Sequence, residues 1–271
     1  MAQNNPVPEM DKKFRLRDGL SATLPPLLFG IGVIALWELW TIITNSDPRL
    51  FPPPSDVANA FIEDPSLYIR NAKTTAIEMV LGFGVGAVVG IALGLLVTYS
   101  KPLRRAVYPW LVISQTIPIP AVAAVLVTWF GFSILPKVIV VALIAFFPIS
   151  VSTTDGLVSV DSQMIQLMRT FGANRAQIFR EVRIPHALPH VFTGMKVAAA
   201  FSVLGAVFGE WVGARGGLGY LLLIKNRSVN TDDVFAIIAV LATLGVMFFG
   251  LITLIERLVI PWHFDNRVED T

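Results

Sequence analysis

Apolar positions along the chain gather into six long runs, at residues 24–44, 75–98, 107–130, 137–154, 191–209 and 234–255, with polar stretches between them. About 20 apolar residues in a helix cross the hydrocarbon core of a bilayer. The pattern therefore predicts an all-α polytopic membrane protein with about six transmembrane helices. Two runs carry internal breaks. Pro118 and Pro120 interrupt the third run and Pro148 the fourth. Each removes a backbone donor, which is tolerated in a membrane where the freed carbonyls are buried in protein or face water.

The second run has its own register. Gly82, Gly86, Gly90 and Gly94 recur every four residues and share one helix face. Lipid gives no hydrophobic drive for helix association, so small residues that let backbones approach are the packing signal. The fifth run has a similar line in Ala198, Ser202, Gly205 or Ala206, and Gly209. Spans two and five are thus expected to be the closely packed helices near the centre.

Composition agrees with the pattern: 54% of residues are hydrophobic and 15% charged, against roughly 25% charged in soluble domains. There is no cysteine, so disulfide and thiol chemistry are excluded. The net charge of +2 gives no footing for nucleic-acid binding. The opening polar stretch is too long for a cleavable signal peptide, and the run at 24–44 reads as an uncleaved anchor. Lysine and arginine accumulate on the cytoplasmic side. With the N-terminus inside, 13 of the 21 fall on inner segments, seven on outer ones, and Lys196 near the inner end of span five. That favours N-in and C-in, with residues 1–23 a cytoplasmic segment, 24–260 the transmembrane domain and 261–271 a cytoplasmic tail. The outer segment 46–66 is proline-rich and then reads as a short helix begun by Ser55 or Asp56. The other long outer segment, 210–233, has glycines that suggest an irregular turn before a short apolar stretch.

One inner segment is long and charged. "LMRTFGANRAQIFREVRIPHALP", residues 167–189, carries four arginines and one glutamate between two apolar runs. Asp161 or Ser162 is placed to cap a helix with Met164, Ile165, Leu167, Met168 and Phe171 at helical spacing, stopped by Gly172. Asn174 or Ala173 opens a second helix that Pro185 is expected to end. Two short helices joined by a glycine, within residues 155–189, form a docking knob in the cytoplasm.

These residues resemble the signature of ABC importer permeases: Glu-Ala-Ala, three residues, Gly, nine residues, Ile, one residue, Leu-Pro. Gly172 takes the glycine place, Val182 the isoleucine place, and Ile184 and Pro185 the Leu-Pro. Gln166, Leu167 and Met168 stand where Glu-Ala-Ala is usual, so the acidic residue is absent. "FPPPSDV", "PIPAVAAVLVTWFGFSILPK", "FFPISVSTTDGL" and "GEWVGARGGLGYLL" look like the nitrate, sulfonate and taurine branch, which includes carriers of the pyrimidine precursor of thiamine. The resemblance implies a type I importer permease in the inner membrane, with a coupling loop seated on an ATPase through Gln166, Arg169, Gly172, Ala173, Arg175, Phe179, Val182 and Pro185. It also implies a second permease copy, giving a homodimer or a heterodimer with a close homologue, two cytoplasmic ATPase subunits and an external binding protein. The phosphate-cradling pattern G-x-x-x-x-G-K-[ST] is missing. The chain is accordingly read as a non-enzyme without a cofactor, with ATP and magnesium on the partner.

Candidate solute contacts come from polar and aromatic residues in the spans, since ionisable groups there are costly. Glu210 and Trp211 close span five, with Arg215 or Lys225 as alternative partners for Glu210. Gln115 and Trp129 bracket the proline break and offer an amide and an aromatic face, or simply packing. Glu78 lies near the outer end of span two, and Glu38 between Trp37 and Trp40 reads as an interfacial anchor. His186, His190 and His263 make no metal-ligand constellation. No lysine or arginine falls deep within a span. An acidic and aromatic set favours a pyrimidine-type thiamine precursor or similar heterocycle, with sulfonate, taurine or nitrate as the alternative. An ATP-independent secondary transporter is the remote one.

Overall fold

A computed structural model describes residues 12–265; residues 1–11 and 266–271 of the two expected cytoplasmic segments lie outside them. Among the described residues every regular element is helical. The order is α1 (Lys12–Thr44), α2 (Pro54–Glu63), α3 (Pro65–Tyr99), α4 (Lys101–Ser114), α5 (Ile119–Phe130), α6 (Leu135–Val158), α7 (Ser162–Thr170), α8 (Arg175–Ile178), α9 (Ile184–Gly213), α10 (Leu218–Arg227), α11 (Thr231–Val259) and α12 (Trp262–Asp265). Five helices are long and apolar enough to cross a membrane, and α4 with α5 make a sixth apolar segment bent by 90°.

Helix starts follow local chemistry. Asp64 accepts the Leu67 amide (3.1 Å) and the Ser66 hydroxyl (2.7 Å) ahead of α3. Ser100 accepts the Leu103 amide ahead of α4. Pro65, Pro102, Pro120 and Pro136 sit in first turns, where the missing N–H is not needed. The proline pair of the third run therefore does not kink a continuous helix. Pro118 is the N-cap of a new helix, α5, that leaves α4 at a right angle. At the outer segment the N-cap is Pro53, neither Ser55 nor Asp56. Glu38 of α1 instead reaches across and accepts both the Ser55 amide (3.0 Å) and its hydroxyl (2.9 Å). Its carboxylate thus sits at the start of α2, where the helix dipole favours negative charge. Trp37 beside it packs on Phe51 and Phe235.

At the centre, spans two and five (α3 and α9) both pack along α6, which lies between them. The glycine stripe of α3 faces α6. A Cβ on Gly86 would come within 2.9 Å of the Ala142 carbonyl oxygen, and one on Gly90 within 2.7 Å of the Phe146 carbonyl oxygen. From the other side Gly194 of α9 leaves no room against the Pro148 carbonyl oxygen (2.7 Å), and Gly205 fits over Val141. Ala145, Ile149, Ala198 and Ala206 fill the layer and are fully buried. Pro148 lies inside α6, with its own carbonyl under Gly194 of α9. Sequence alone cannot assign a small-residue face to its partner, because α6 shows no glycine stripe of its own; its Val141 and Ala145 are the knobs.

Because the obstruction at Gly90 is backbone, it cannot yield cheaply. Gly90→Leu is expected to destabilise the purified protein by about 1–3 kcal/mol, the usual range for overpacking. In a detergent melt it should lower the midpoint by several degrees, whereas Gly84→Leu, which meets nothing within 4 Å, should leave it in place. Equal melts for the two variants would overturn this packing account.

Candidate functional site

The charged elbow of residues 155–189 is built from α7 and α8. Asp161 caps α7 by accepting the Gln163 amide (2.8 Å). Past Thr170 the chain turns at Gly172, whose φ is +81°. The Gly172 amide donates to the Arg169 carbonyl (2.9 Å) and the Ala173 amide to the Met168 carbonyl (3.0 Å). This pair of bonds closes a helix end over a left-handed residue. Asn174 then opens α8. Its side chain accepts the Gln177 amide (2.9 Å) while the Gln177 side chain accepts the Asn174 amide (2.8 Å), a reciprocal cap.

Pro185 does not end this second helix. A π-helical turn at Phe179–Arg183 follows α8 and leads into α9, with Pro185 in the first turn of α9. The wider turn carries the chain past a proline that has no N–H and crowds the preceding carbonyls. The result is one apolar helical segment, Arg175–Gly213, of 39 residues.

Of the residues carried over from the signature, Gln166, Arg169, Gly172 and Arg175 are exposed, and Ala173, Phe179, Val182 and Pro185 are half-buried. The most exposed apolar side chains are others: Met164 (50%), Leu167 (52%) and Phe171 (79%). At i, i+3 and i+7 they share one side of the elbow, with arginines around them. Their helical spacing was legible; which of the five spaced apolar residues turn outward was not, because Ile165 and Met168 are the pair turned inward.

A second cluster lies at the outer ends of α3, α6 and α9. Glu210 is buried, and its Oε1 accepts the Thr75 hydroxyl (2.6 Å). Its Oε2 accepts the amides of Gly219 (2.5 Å) and Tyr220 (3.2 Å). Thr75 also accepts the Leu218 amide (2.8 Å), and Asn71 accepts the Gly217 amide (2.8 Å). Four consecutive amides at the start of α10 are thereby partnered by three side chains, at a helix end that would otherwise leave them orphaned. Gly217, at φ +107°, passes so close to Glu210 that any side chain would collide with it. Next to this cap Lys137 donates to Glu78 (2.9 Å), both buried. Gly209 packs on the Lys137 backbone, where a Cβ would come within 3.0 Å of its Cα. Neither Arg215 nor Lys225 pairs with Glu210. Arg215 lies over Phe132, and Lys225 pairs with Asp233 (2.7 Å), which also accepts the Tyr68 hydroxyl.

The other solute candidates are spread out. Trp211 points away from the Glu210 cap onto Phe208. Gln115 is at the α4–α5 break and Trp129 at the far end of α5. A 12-residue helix is about 18 Å long, so one protomer does not bring the amide and the indole to one solute. Lys137, the first residue of the fourth run, is a buried cation within α6. A second such pair joins Lys196 to Glu256 (2.8 Å). Asn71, Thr75 and Glu78 continue the glycine face of α3 towards its outer end, and that shared register was the available signal for them. His186 and His190 face each other (5.9 Å between ring centroids), and with His263 they line a cavity of about 360 Å³. In the extramembrane turn before α3, hydrogen bonds from Ser66 and then Leu67 hold the Asp64 carboxyl below the usual carboxylate range.

A helical bundle of six apolar segments, one of them broken at a right angle, fits a multi-pass membrane protein. The chain belongs to the family of binding-protein-dependent transport system inner membrane components, whose model matches residues 86–261. It is the membrane-spanning permease subunit of an ABC importer, located in the inner membrane. It is 38% identical over 89% of its length to the formylaminopyrimidine transport permease protein ThiX of Halalkalibacterium halodurans, covering 96% of that protein. It is 33% identical over 90% of its length to the riboflavin transport system permease protein RibX of Chloroflexus aurantiacus, again covering 90%. With the taurine transport system permease protein TauC of Escherichia coli it shares 26% over 88% of its length, covering 90%. In fold it is similar to an inward-facing MetNI methionine ABC transporter, with a TM-score of 0.65 at 21% identity over 73% of this chain and 98% of the other.

Proposed function

We propose that this permease carries a small planar nitrogen heterocycle of the formylaminopyrimidine kind, delivered by an external binding protein. The observation that carries the reading is the order of its relatives. Identity is 38% and 33% to permeases named for a pyrimidine and a flavin, and 28% and 26% to permeases named for sulfonates and taurine. The span lysines support it. Lys137 and Lys196 are each committed to a glutamate, so neither is free to neutralise a sulfonate or nitrate.

Two copies pair around the path, and each elbow receives an ATPase subunit that holds the ATP and magnesium. The Met164, Leu167 and Phe171 face rimmed by Arg169 and Arg175 supports that seat, since apolar patches with polar rims mark partner sites. The 39 residues of Arg175–Gly213 make a rod of about 58 Å at 1.5 Å per residue. It starts in the elbow and ends at the Glu210 cap. Motion imposed at the elbow therefore reaches α10 and the outer surface, and the layered packing of α3, α6 and α9 makes them move together.

The test is a thermal-shift screen of the cognate binding protein against formylaminopyrimidine, riboflavin, taurine and nitrate. A solute at a hundredfold excess over its Kd stabilises by about 2.7 kcal/mol, a rise of several degrees. Formylaminopyrimidine is expected to give that rise and to be taken up by vesicles holding the full complex. Stabilisation and uptake confined to taurine or nitrate would reject the heterocycle.

A further inference from the structure

On the cytoplasmic side a groove of about 590 Å³ separates the first turns of α4 from the last turns of α6. Its two walls differ in charge. Arg104, Arg105 and Tyr108 come from α4; Thr154, Asp155 and Ser159 come from α6. The α6 wall also carries the carbonyl end of a 24-residue helix, where the dipole favours a cation. No guanidinium of the α4 wall comes within ion-pair distance of Asp155 or of any other carboxylate among the described residues. Two opposite charges face each other across a space large enough for a small ligand, and neither neutralises the other.

Beyond the groove α4 turns apolar. Trp110 is 71% exposed, and Val112 and Ile113 are about half exposed. A cationic patch followed along the helix by an exposed aromatic and aliphatic strip is the profile of the membrane interface.

We propose that this groove holds the headgroup of a phosphatidylethanolamine molecule from the cytoplasmic leaflet. Its phosphate lies against Arg104 and Arg105, and its ammonium against Asp155 and the carbonyl end of α6. Its acyl chains lie along Val112 and Ile113, further along α4. A zwitterion satisfies both walls at once. A purely anionic headgroup leaves Asp155 opposed, and a choline headgroup has no N–H to donate to the carboxylate. The apolar strip selects a lipid over soluble phosphoethanolamine.

The experiment uses the complete permease–ATPase complex, reconstituted in vesicles of phosphatidylglycerol mixed with either phosphatidylethanolamine or phosphatidylcholine. It is then extracted in mild detergent, and the lipid retained per complex is measured by mass spectrometry. One charged contact at a membrane surface corresponds to about a fivefold preference, so wild type is expected to retain phosphatidylethanolamine about fivefold over phosphatidylcholine. Asp155→Asn should bring that ratio to about one while phosphate-dependent retention persists. Arg104→Gln with Arg105→Gln should lower retention of both lipids by about 25-fold on the same basis. Soluble phosphoethanolamine should not displace the lipid. The proposal is overturned by equal retention of the two lipids in wild type, or by an Asp155→Asn ratio that matches wild type. It is equally overturned by displacement with soluble phosphoethanolamine or transported solute, which would assign the groove to a soluble ligand. Crosslinking between two copies of the Arg105→Cys permease would assign it to the dimer contact.

Discussion

Gly172→Val is expected to strip the ATPase from the purified complex while the permease still inserts into the membrane in normal amount. The reason is conformational. Nothing lies within 4 Å of a Cβ at Gly172, so a side chain fits in space, but the φ of +81° does not suit it. A non-glycine residue in the left-handed region costs about 1–2 kcal/mol, and a β-branched one more. Opening that turn removes the two bonds from the Gly172 and Ala173 amides and swings α7 away from α8. The Met164–Leu167–Phe171 face and the arginines near it, the proposed docking surface, then no longer present together. Uptake should fall by at least tenfold, about 1.4 kcal/mol in the docking equilibrium. Gly172→Asn, which tolerates the same backbone region, should retain most of both uptake and ATPase copurification. If valine and asparagine behave alike, the turn is not what holds the elbow in shape.

Glu210→Ala should uncouple the outer face instead. It leaves the Gly219 and Tyr220 amides without their acceptor, inside the protein, and the Thr75 hydroxyl with only the Asn71 carbonyl. Each buried donor so abandoned costs about 1–3 kcal/mol, so the cap at the start of α10 is expected to open by roughly 3 kcal/mol or more. Hydrogen exchange at residues 217–220 should accelerate by about a hundredfold or more on that basis, with uptake lost and ATPase binding at the elbow retained. Glu210→Gln keeps one acceptor oxygen and should fall between the two. Unchanged exchange in Glu210→Ala would show that α10 is held by other contacts. The opposite outcomes of the two variants distinguish the two ends of the α9 rod: one loses the motor, the other the outer latch.

Much of this was open to sequence reasoning, and the misses have identifiable causes. The elbow was legible because its signals are local. Asp161, Gly172 and Asn174 act within four residues of themselves, through caps and a left-handed turn. Pro185 misled because a proline normally ends a helix, and only the wider turn at Phe179–Arg183 lets it continue. Glu210 was legible as an unusual acid but not as a helix cap. Its partner Thr75, and Asn71 which caps the same turn, are 135 and 139 positions away, and a backbone amide leaves no mark in a sequence. Glu78 and Lys137 each stood out only as a charge near a span end. Nothing in the linear order says that Gly209 clears the space in which they meet.

By itself, the order of apolar, glycine and charged residues determined that this chain spans a membrane about six times, that one face of α3 packs closely, and that a charged elbow of short helices interrupts the spans. Those follow from the period of the helix, the thickness of the hydrocarbon and the cost of burying charge, all of which act on neighbours in the chain. Only the tertiary structure decided that α6 is the central helix, that α4 and α5 part at a right angle, and that Glu210 holds α10. Helix partners in a membrane are chosen by shape across a contact, and small residues say that a close approach occurs without saying to what.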